Sequence, residues 1–510
     1  MYGTSLLAFT APSIDWHSFA PEIVVLGVLV AVLVVDIFTD DGSALAPSIA
    51  SIGMLLALIP LITLATTDHE VSMFGGAYMV DNFALVLKAL FIIAGYLVIL
   101  LSMNYIGEGD YWEGEYYQLV IASVLGMMVM ASARDLISIF IALELLSIPA
   151  YMLAAWKKNA LKGNEAGIKY YLMGVFASAV MLYGMSLIYG VTGSTLLADI
   201  AGRLGSAEET STPIITLAIV FVLVGFGFKV SAVPFHSWAP DTYEGAPTPV
   251  TAFLAVASKA AGFVALMTLV FIGFRYRADV FQPMMWVLAV LTMFVGNLIA
   301  LRQTNVVRML AYSGVAQAGY MLAPFAVFGT GAVGDLALTS IVTYLIIYMV
   351  MNIGAFAVVI ALARKTGSAE LTAFAGMREF APGLTLAMTM FLFSLAGIPP
   401  LGGWFAKFGI FQVLASAGSW WGYSLAIIVG VNSVIALFYY ARVAKAMWME
   451  PVADGDLTPV KIPVSLGTVL VITAVATLAF GIYPGLVTRF SEPTCLSSAP
   501  EECQVDIAAP

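Results

Sequence analysis

Apolar stretches long enough to cross a hydrocarbon layer of about 30 Å, which takes roughly 20 helical residues, recur from Pro21 to Arg489 with short polar gaps. Backbone groups placed in hydrocarbon must be satisfied within their own segment, so such stretches fold as helices. Apolar residues fill 61% of the 510 positions and charged residues 10%, against about 45–50% and about 25% in soluble domains. Length alone would allow three soluble domains, but no water-soluble fold covers so much apolar surface. The chain is expected to be an all-α polytopic membrane protein, a single transmembrane domain over 1–510.

Bounded by Pro, Gly and charged residues, the spans fall at about 21–38, 46–66, 83–104, 116–133, 135–156, 165–190 and 212–233. Seven more follow at about 248–273, 282–301, 306–328, 337–363, 383–417, 421–447 and 463–489, for about fourteen transmembrane helices. Lys and Arg favour the cytoplasmic side. With both termini outside, the inner loops hold eleven such residues, from Lys157 to Lys461, and the outer side five: Arg134, Arg203, Arg275, Arg277 and Arg489. That bias predicts outer termini and supports an even helix count.

Several function classes drop out. The N-terminus lacks the basic region, short apolar core and cleavage site of a removable signal peptide. A net charge of −10 leaves no basic footprint for nucleic acid. Cys495 and Cys503, both in the tail, are the only cysteines; they could form a disulfide in an oxidising compartment, but two cysteines hold no iron–sulfur cluster, and no His/Cys set has metal-ligand spacing. Gly329, Gly331 and Gly334 spell a nucleotide-binding fingerprint in the loop between two membrane helices, without the strand the motif needs. No metal site and no bound cofactor is expected on this chain.

The chemistry therefore falls to polar residues inside the helices. A charge at the bilayer centre costs about 2.5–3.5 kcal/mol on insertion scales and marks a functional site by default. Lys88 lies about one turn inside its span, where a long side chain can snorkel to the interface. Lys169 follows Glu165 by four residues, so the two share a helix face and can pair. Lys259 sits mid-span among small residues, Lys229 precedes a break at Pro234, and Lys407 follows a break at Pro399 and Pro400. Broken helices at membrane depth are tolerated only where protein or water satisfies the backbone, so a lysine beside one is expected to meet polar partners. Glu144, in mid-span, has no cation within one turn in sequence, and His236, just past the seventh-span break, can relay protons or simply hydrogen-bond the backbone.

An internal repeat is also visible. YMLA occurs at Tyr151–Ala154 and again at Tyr320–Ala323, an offset of 169, and the break prolines Pro234 and Pro399 are offset by 165. Such repeats are common in transporters. They divide the chain into 1–110 (spans one to three), 111–275 (a first five-helix unit), 276–450 (a second), 451–490 (span fourteen) and a tail at 491–510. Under the YMLA offset Glu144 maps to Ser313, so the second unit lacks the acid.

The stretches FGFKVSAVPFHSWAPDTYEGAPTPVTAFLAVASKAAGF, GNLIALRQTNVVRMLAYSGVAQAGYML and SLAGIPPLGGWFAKF resemble the antiporter-like subunits of respiratory complex I and its photosynthetic relatives, of the N (subunit 2) type. The resemblance covers nearly the whole chain beyond the first two helices. It implies two inverted five-helix repeats with broken helices seven and twelve. It implies Glu144 and Lys229 as a charge pair, Lys259 as a connecting lysine, Lys407 as the exit-side lysine, and Lys169 and His236 on the same hydrated axis. A lysine on the twelfth helix suits types N and L, and a tail of about twenty residues lacks the long lateral arm of type L.

The resemblance also implies proton translocation driven by quinone reduction elsewhere: separating Glu144 from Lys229 would release a proton toward Lys259 and Lys407. NADH, FMN and iron–sulfur clusters, or ferredoxin, would belong to other subunits, as would the quinone site. The implied partners are further membrane subunits, especially antiporter-like and small K-type neighbours, and lipids, in a bacterial plasma or thylakoid-type membrane. A sodium/proton antiporter subunit would use the same lysines.

Overall fold

The computed structural model describes residues 14–38, 45–67, 70–107, 114–206, 212–329, 331–453 and 455–489, and the backbone of 506–507. Cys495 and Cys503 lie outside the described residues.

The chain begins with α1 (Ala20–Phe38) and α2 (Leu45–Ala65), a hairpin of β1 (Val71–Met73) and β2 (Tyr78–Val80), and α3 (Asn82–Gly107). The segment that the sequence marks as the first five-helix unit holds α4 (Gly114–Ser132), α5 (Leu136–Ala154), α6 (Leu161–Thr192), a short α7 (Leu197–Gly205), α8 (Thr212–Lys229), a short α9 (Trp238–Gly245) and α10 (Thr248–Gly273); first and second unit denote the two stretches of sequence so marked. Then come α11 (Ala278–Ala300), α12 (Val306–Leu322), α13 (Ala332–Thr366), α14 (Pro382–Ala396), α15 (Gly402–Ser416), α16 (Trp420–Met449) and α17 (Val464–Ile482). Twelve of these are long and apolar enough to cross a membrane. α12 runs on as a 3₁₀ turn through Val327, and α14 with α15 makes one crossing in two pieces, which brings the crossings to fourteen.

The most enclosed helices are α10 and α13, buried on nearly every face, as helices in the centre of a bundle are. α13 packs against α14, α15 and α17, α10 against α3 and α13, and α3 also against α17, so α3 joins the two units. α1, α2, α6, α16 and α17 each keep a broad exposed apolar face. β3 (Asp506–Ile507) pairs in parallel with β1, so the chain end and the loop after α2 lie at the same end of the bundle, as an even number of crossings requires.

Both breaks are built where the prolines stand. α8 stops at Lys229 rather than running to 233, and Ser231 takes a positive φ of 61°. The freed backbone finds partners: the Trp238 indole donates to the Phe228 carbonyl at 3.0 Å, and the Val233 amide donates to Thr292 Oγ1 at 2.9 Å. The second break turns at Gly397, with φ 91°. There Gln317 donates to the Leu395 carbonyl at 3.0 Å and Gly403 N to Ser394 Oγ at 3.0 Å. Orphaned groups at a buried helix end need such partners. α17 likewise ends at Ile482, before Pro484, instead of continuing to 489.

Candidate proton path

Lys229, Lys259 and Lys407 are 2%, 1% and 4% exposed, and no ion pair within 4.0 Å reaches any of them among the described residues. Each ammonium is met instead by neutral oxygens and rings. Lys229, at the C-terminal end of α8, donates to Ser147 Oγ at 2.8 Å and to the Tyr170 hydroxyl at 3.5 Å. Lys259 donates to the Gly314 carbonyl on α12 at 2.7 Å. Lys407 donates to the Ala396 carbonyl at 2.8 Å and lies over the Tyr320 ring, 4.7 Å from its centroid. The last carbonyls of a helix carry its negative partial charge. The break after α14 therefore supplies Lys407 with a site for its charge, and the two features are one device.

These contacts join end to end. The Lys229 stem packs on Gly262, where an added Cβ would come within 3.0 Å of Lys229 Cγ. The Tyr170 hydroxyl accepts from Lys229 at 3.5 Å, and Lys259 lies three positions before Gly262 on the same helix. α10 takes a π turn over Leu254–Ser258, immediately before Lys259; such turns release backbone groups and favour functional positions. Gly314 is the position that admits the Lys259 ammonium, since an added Cβ would lie 3.2 Å from Lys259 Nζ and 3.1 Å from the Tyr348 hydroxyl. Gly397 does the same for Lys407, with Cδ 2.8 Å from an added Cβ.

Glu144 lies on α5 one turn before Ser147, and its Oε1 is buried without a hydrogen-bond partner. No ion pair within 4.0 Å joins it to Lys229 among the described residues; Ser147 holds the lysine instead. His236 is half-buried in the segment between α8 and α9, with Nδ1 buried and unpartnered. Lys169 makes the expected pair with Glu165, at 2.6 Å, but is also bound at 2.7 Å by Asp241 of α9. Arg308 of the second unit grips Asp241 and Glu244 at 2.8 and 2.9 Å, and Lys162 grips Glu244 at 2.7 Å. Lys169 thus belongs to a charged clamp between the two units at the bundle end, where its side chain is 41% exposed.

Lys88 corrects the expectation of an interfacial anchor. It is fully buried, paired with Glu22 of α1 at 2.9 Å and donating to Tyr78 at 3.0 Å. Beside it Arg134, expected in a loop, is buried against Asp81 at 3.0 Å. A lysine one turn inside a helix snorkels only if that helix faces lipid, and α3 does not. Ser147, Tyr170 and Gln317 were not singled out by sequence; their one signal was polarity within a span.

The family described as NADH:quinone oxidoreductase/Mrp antiporter, transmembrane, matches residues 133–435, which spans both breaks and all three lysines. The chain is 41% identical over 483 residues to NADH-quinone oxidoreductase subunit N of Trichlorobacter lovleyi, covering 94% of this chain and 97% of that one. It is 38% identical over 500 residues to subunit N 1 of Herpetosiphon aurantiacus, covering 97% and 99%. Among solved structures, respiratory complex I from Thermus thermophilus contains a chain with a TM-score of 0.75 and 30% identity, covering 93% of this chain and 100% of that one. The Mrp complex from Dietzia sp. shares the fold, with a TM-score of 0.81 at 20% identity over 94% of this chain and 96% of that one. The chain belongs to the NADH:quinone oxidoreductase/Mrp antiporter transmembrane family, and the two curated relatives named above are subunits N.

Proposed function

We propose that this chain is the antiporter-like, proton-translocating membrane subunit of an NADH:quinone oxidoreductase, and that its protons travel along Lys229, Lys259 and Lys407. The observation that carries the reading is the ligation of three buried lysines by uncharged oxygens alone. A buried ammonium fixed by a carboxylate holds its proton. One held by carbonyls and hydroxyls, with no carboxylate to fix it, can give the proton up when its surroundings change.

Glu144 supplies the adjustable charge. Its unpartnered oxygen lies one turn from the serine that holds Lys229, so a small movement of α5 or α8 brings the carboxylate onto the lysine or takes it away. His236, with a free ring nitrogen beside the break, and Lys169 in the charged clamp lie on the route by which protons reach Lys229. Pro234, Pro399 and Pro400 keep the flanking helices open to polar partners. The electron carriers and the quinone site belong to other subunits of the complex, so the drive comes through contacts with neighbouring membrane subunits. Both termini and β1–β3 lie on the outer face, and the Lys169–Asp241–Arg308 clamp on the inner one.

The test is proton uptake by vesicles holding the assembled complex. Lys229→Ala should lower proton uptake at least fivefold per quinone-reducing complex assembled. Unchanged pumping with Lys229→Ala contradicts the reading, and sodium-dependent proton exchange by the purified chain alone would assign it to cation antiport.

A further inference from the structure

Between Lys259 and Lys407 lies a set of buried neutral groups that the lysines themselves do not account for. Ser313 and Gln317 stand four residues apart on α12, hence on one face, and are 2% and 1% exposed. The Ser313 hydroxyl is hydrogen-bonded to the hydroxyl of Tyr440 on α16. Gln317 donates to that same Tyr440 oxygen at 3.4 Å and to the Leu395 carbonyl at 3.0 Å, and accepts from Tyr344 of α13. At one end Ser313 adjoins Gly314, whose carbonyl holds Lys259; at the other Leu395 adjoins Ala396, whose carbonyl holds Lys407. α12 and α16 meet at the serine–tyrosine pair, and Gln317 ties that pair to α13 and α14.

We infer that Ser313 and Tyr440 form a hydroxyl relay that passes protons between Lys259 and Lys407, with Gln317 as the residue that positions Tyr440. The inference rests on the proposed function, since it needs protons to move between those lysines. Ser313 occupies the place that Glu144 holds in the first unit under the 169-residue offset. A carboxylate there would trap a proton or pin a lysine, whereas a hydroxyl both donates and accepts and carries no charge at rest. The first unit therefore sets the charge with its acid, and the second conducts.

The step balances. The Lys259 ammonium loses a proton through one water to the Ser313 oxygen, as the Ser313 proton moves to the Tyr440 oxygen. The Tyr440 proton moves on, through a water, to a neutral Lys407. One lysine ends as an amine and the other as an ammonium, and each hydroxyl again holds one proton. The Gln317 amide keeps both its protons and its oxygen throughout; it fixes the tyrosine and caps Leu395.

The experiment uses the assembled complex in sealed vesicles, with proton uptake per quinone reduced normalised to the complex assembled. Ser313→Ala and Tyr440→Phe should each lower it at least fivefold, while Ser313→Thr, which keeps the hydroxyl, should stay within twofold of the parent. Lys407→Ala is run beside them to keep this inference separate from the function it rests on. If Lys407→Ala abolishes uptake while Ser313→Ala and Tyr440→Phe remain within twofold, the relay is overturned and the function stands. If Ser313→Thr is as impaired as Ser313→Ala, the serine serves packing and the relay is again overturned. If Lys407→Ala is without effect, the function fails and the relay with it.

Discussion

The ammonium of Lys259 donates at 2.7 Å to the backbone carbonyl of Gly314, so a lysine of the first five-helix unit is ligated by the second. The seam between the units is thus held at the lysine itself, and it depends on a residue with no side chain.

Gly314→Ala should therefore act on Lys259. The added methyl lies 3.2 Å from the ammonium and 3.1 Å from the Tyr348 hydroxyl, close enough to displace both by a few tenths of an ångström. Small-to-large changes in a packed interior cost about 1–3 kcal/mol. We expect assembly to survive and proton uptake per quinone to fall several-fold, measured in vesicles; parental uptake would show that this contact is dispensable.

Gly397→Ala combines a forbidding backbone, at φ 91°, with a Cβ 2.8 Å from Lys407 Cδ. Only glycine adopts that region without strain. The substitution should loosen Lys407 from the Ala396 carbonyl and reduce uptake as strongly as Lys407→Ala does. A structure of the variant with that contact intact would contradict the coupling of break to lysine.

The Glu22–Lys88 pair predicts a stability effect. Removing one member of a buried pair costs about 3–5 kcal/mol, because the other charge is stranded, while replacing both with apolar groups is often neutral or better. Lys88→Met should lower the thermal midpoint of the purified subunit sharply, and Glu22→Leu with Lys88→Met should recover most of the loss. A double variant no more stable than the single one would place the cost elsewhere.

Asp241 predicts a pH dependence. Burial pushes its carboxyl up, but hydrogen bonds from Lys169 and Arg308 outweigh this and hold it below the ordinary carboxylate range. Its folded value being depressed, its contribution is complete above the unfolded value of about 3.9 and is lost only as pH falls through the folded one. Asp241→Asn should cost about 1–3 kcal/mol by an amount constant from pH 5 to 8 and smaller below pH 4. A penalty that grows on acidification has the wrong sign.

Most of the fold was legible because each crossing is an apolar run closed by Pro, Gly or charge. α1 and α10 begin and end within a residue of the sequence boundaries, and both breaks stand at their prolines. What escaped depends on contacts between distant segments. Nothing near Lys88 announces Glu22, 66 positions earlier, so a lysine near a helix start looked like a snorkelling one. The π turn before Lys259 leaves no Pro or Gly to mark it. The lysines were visible as charges in the wrong solvent, whereas Ser147, Tyr170 and Gln317 are ordinary membrane-helix residues until the fold brings an ammonium or a carbonyl to them.

The central claim is that Lys259 joins the two halves of one proton path. The direct measurement is the number of protons translocated per quinone reduced by the assembled complex carrying Lys259→Ala. The account predicts a lower ratio, or coupled turnover reduced at least fivefold, with the complex assembled. An unchanged ratio at unchanged turnover would contradict it.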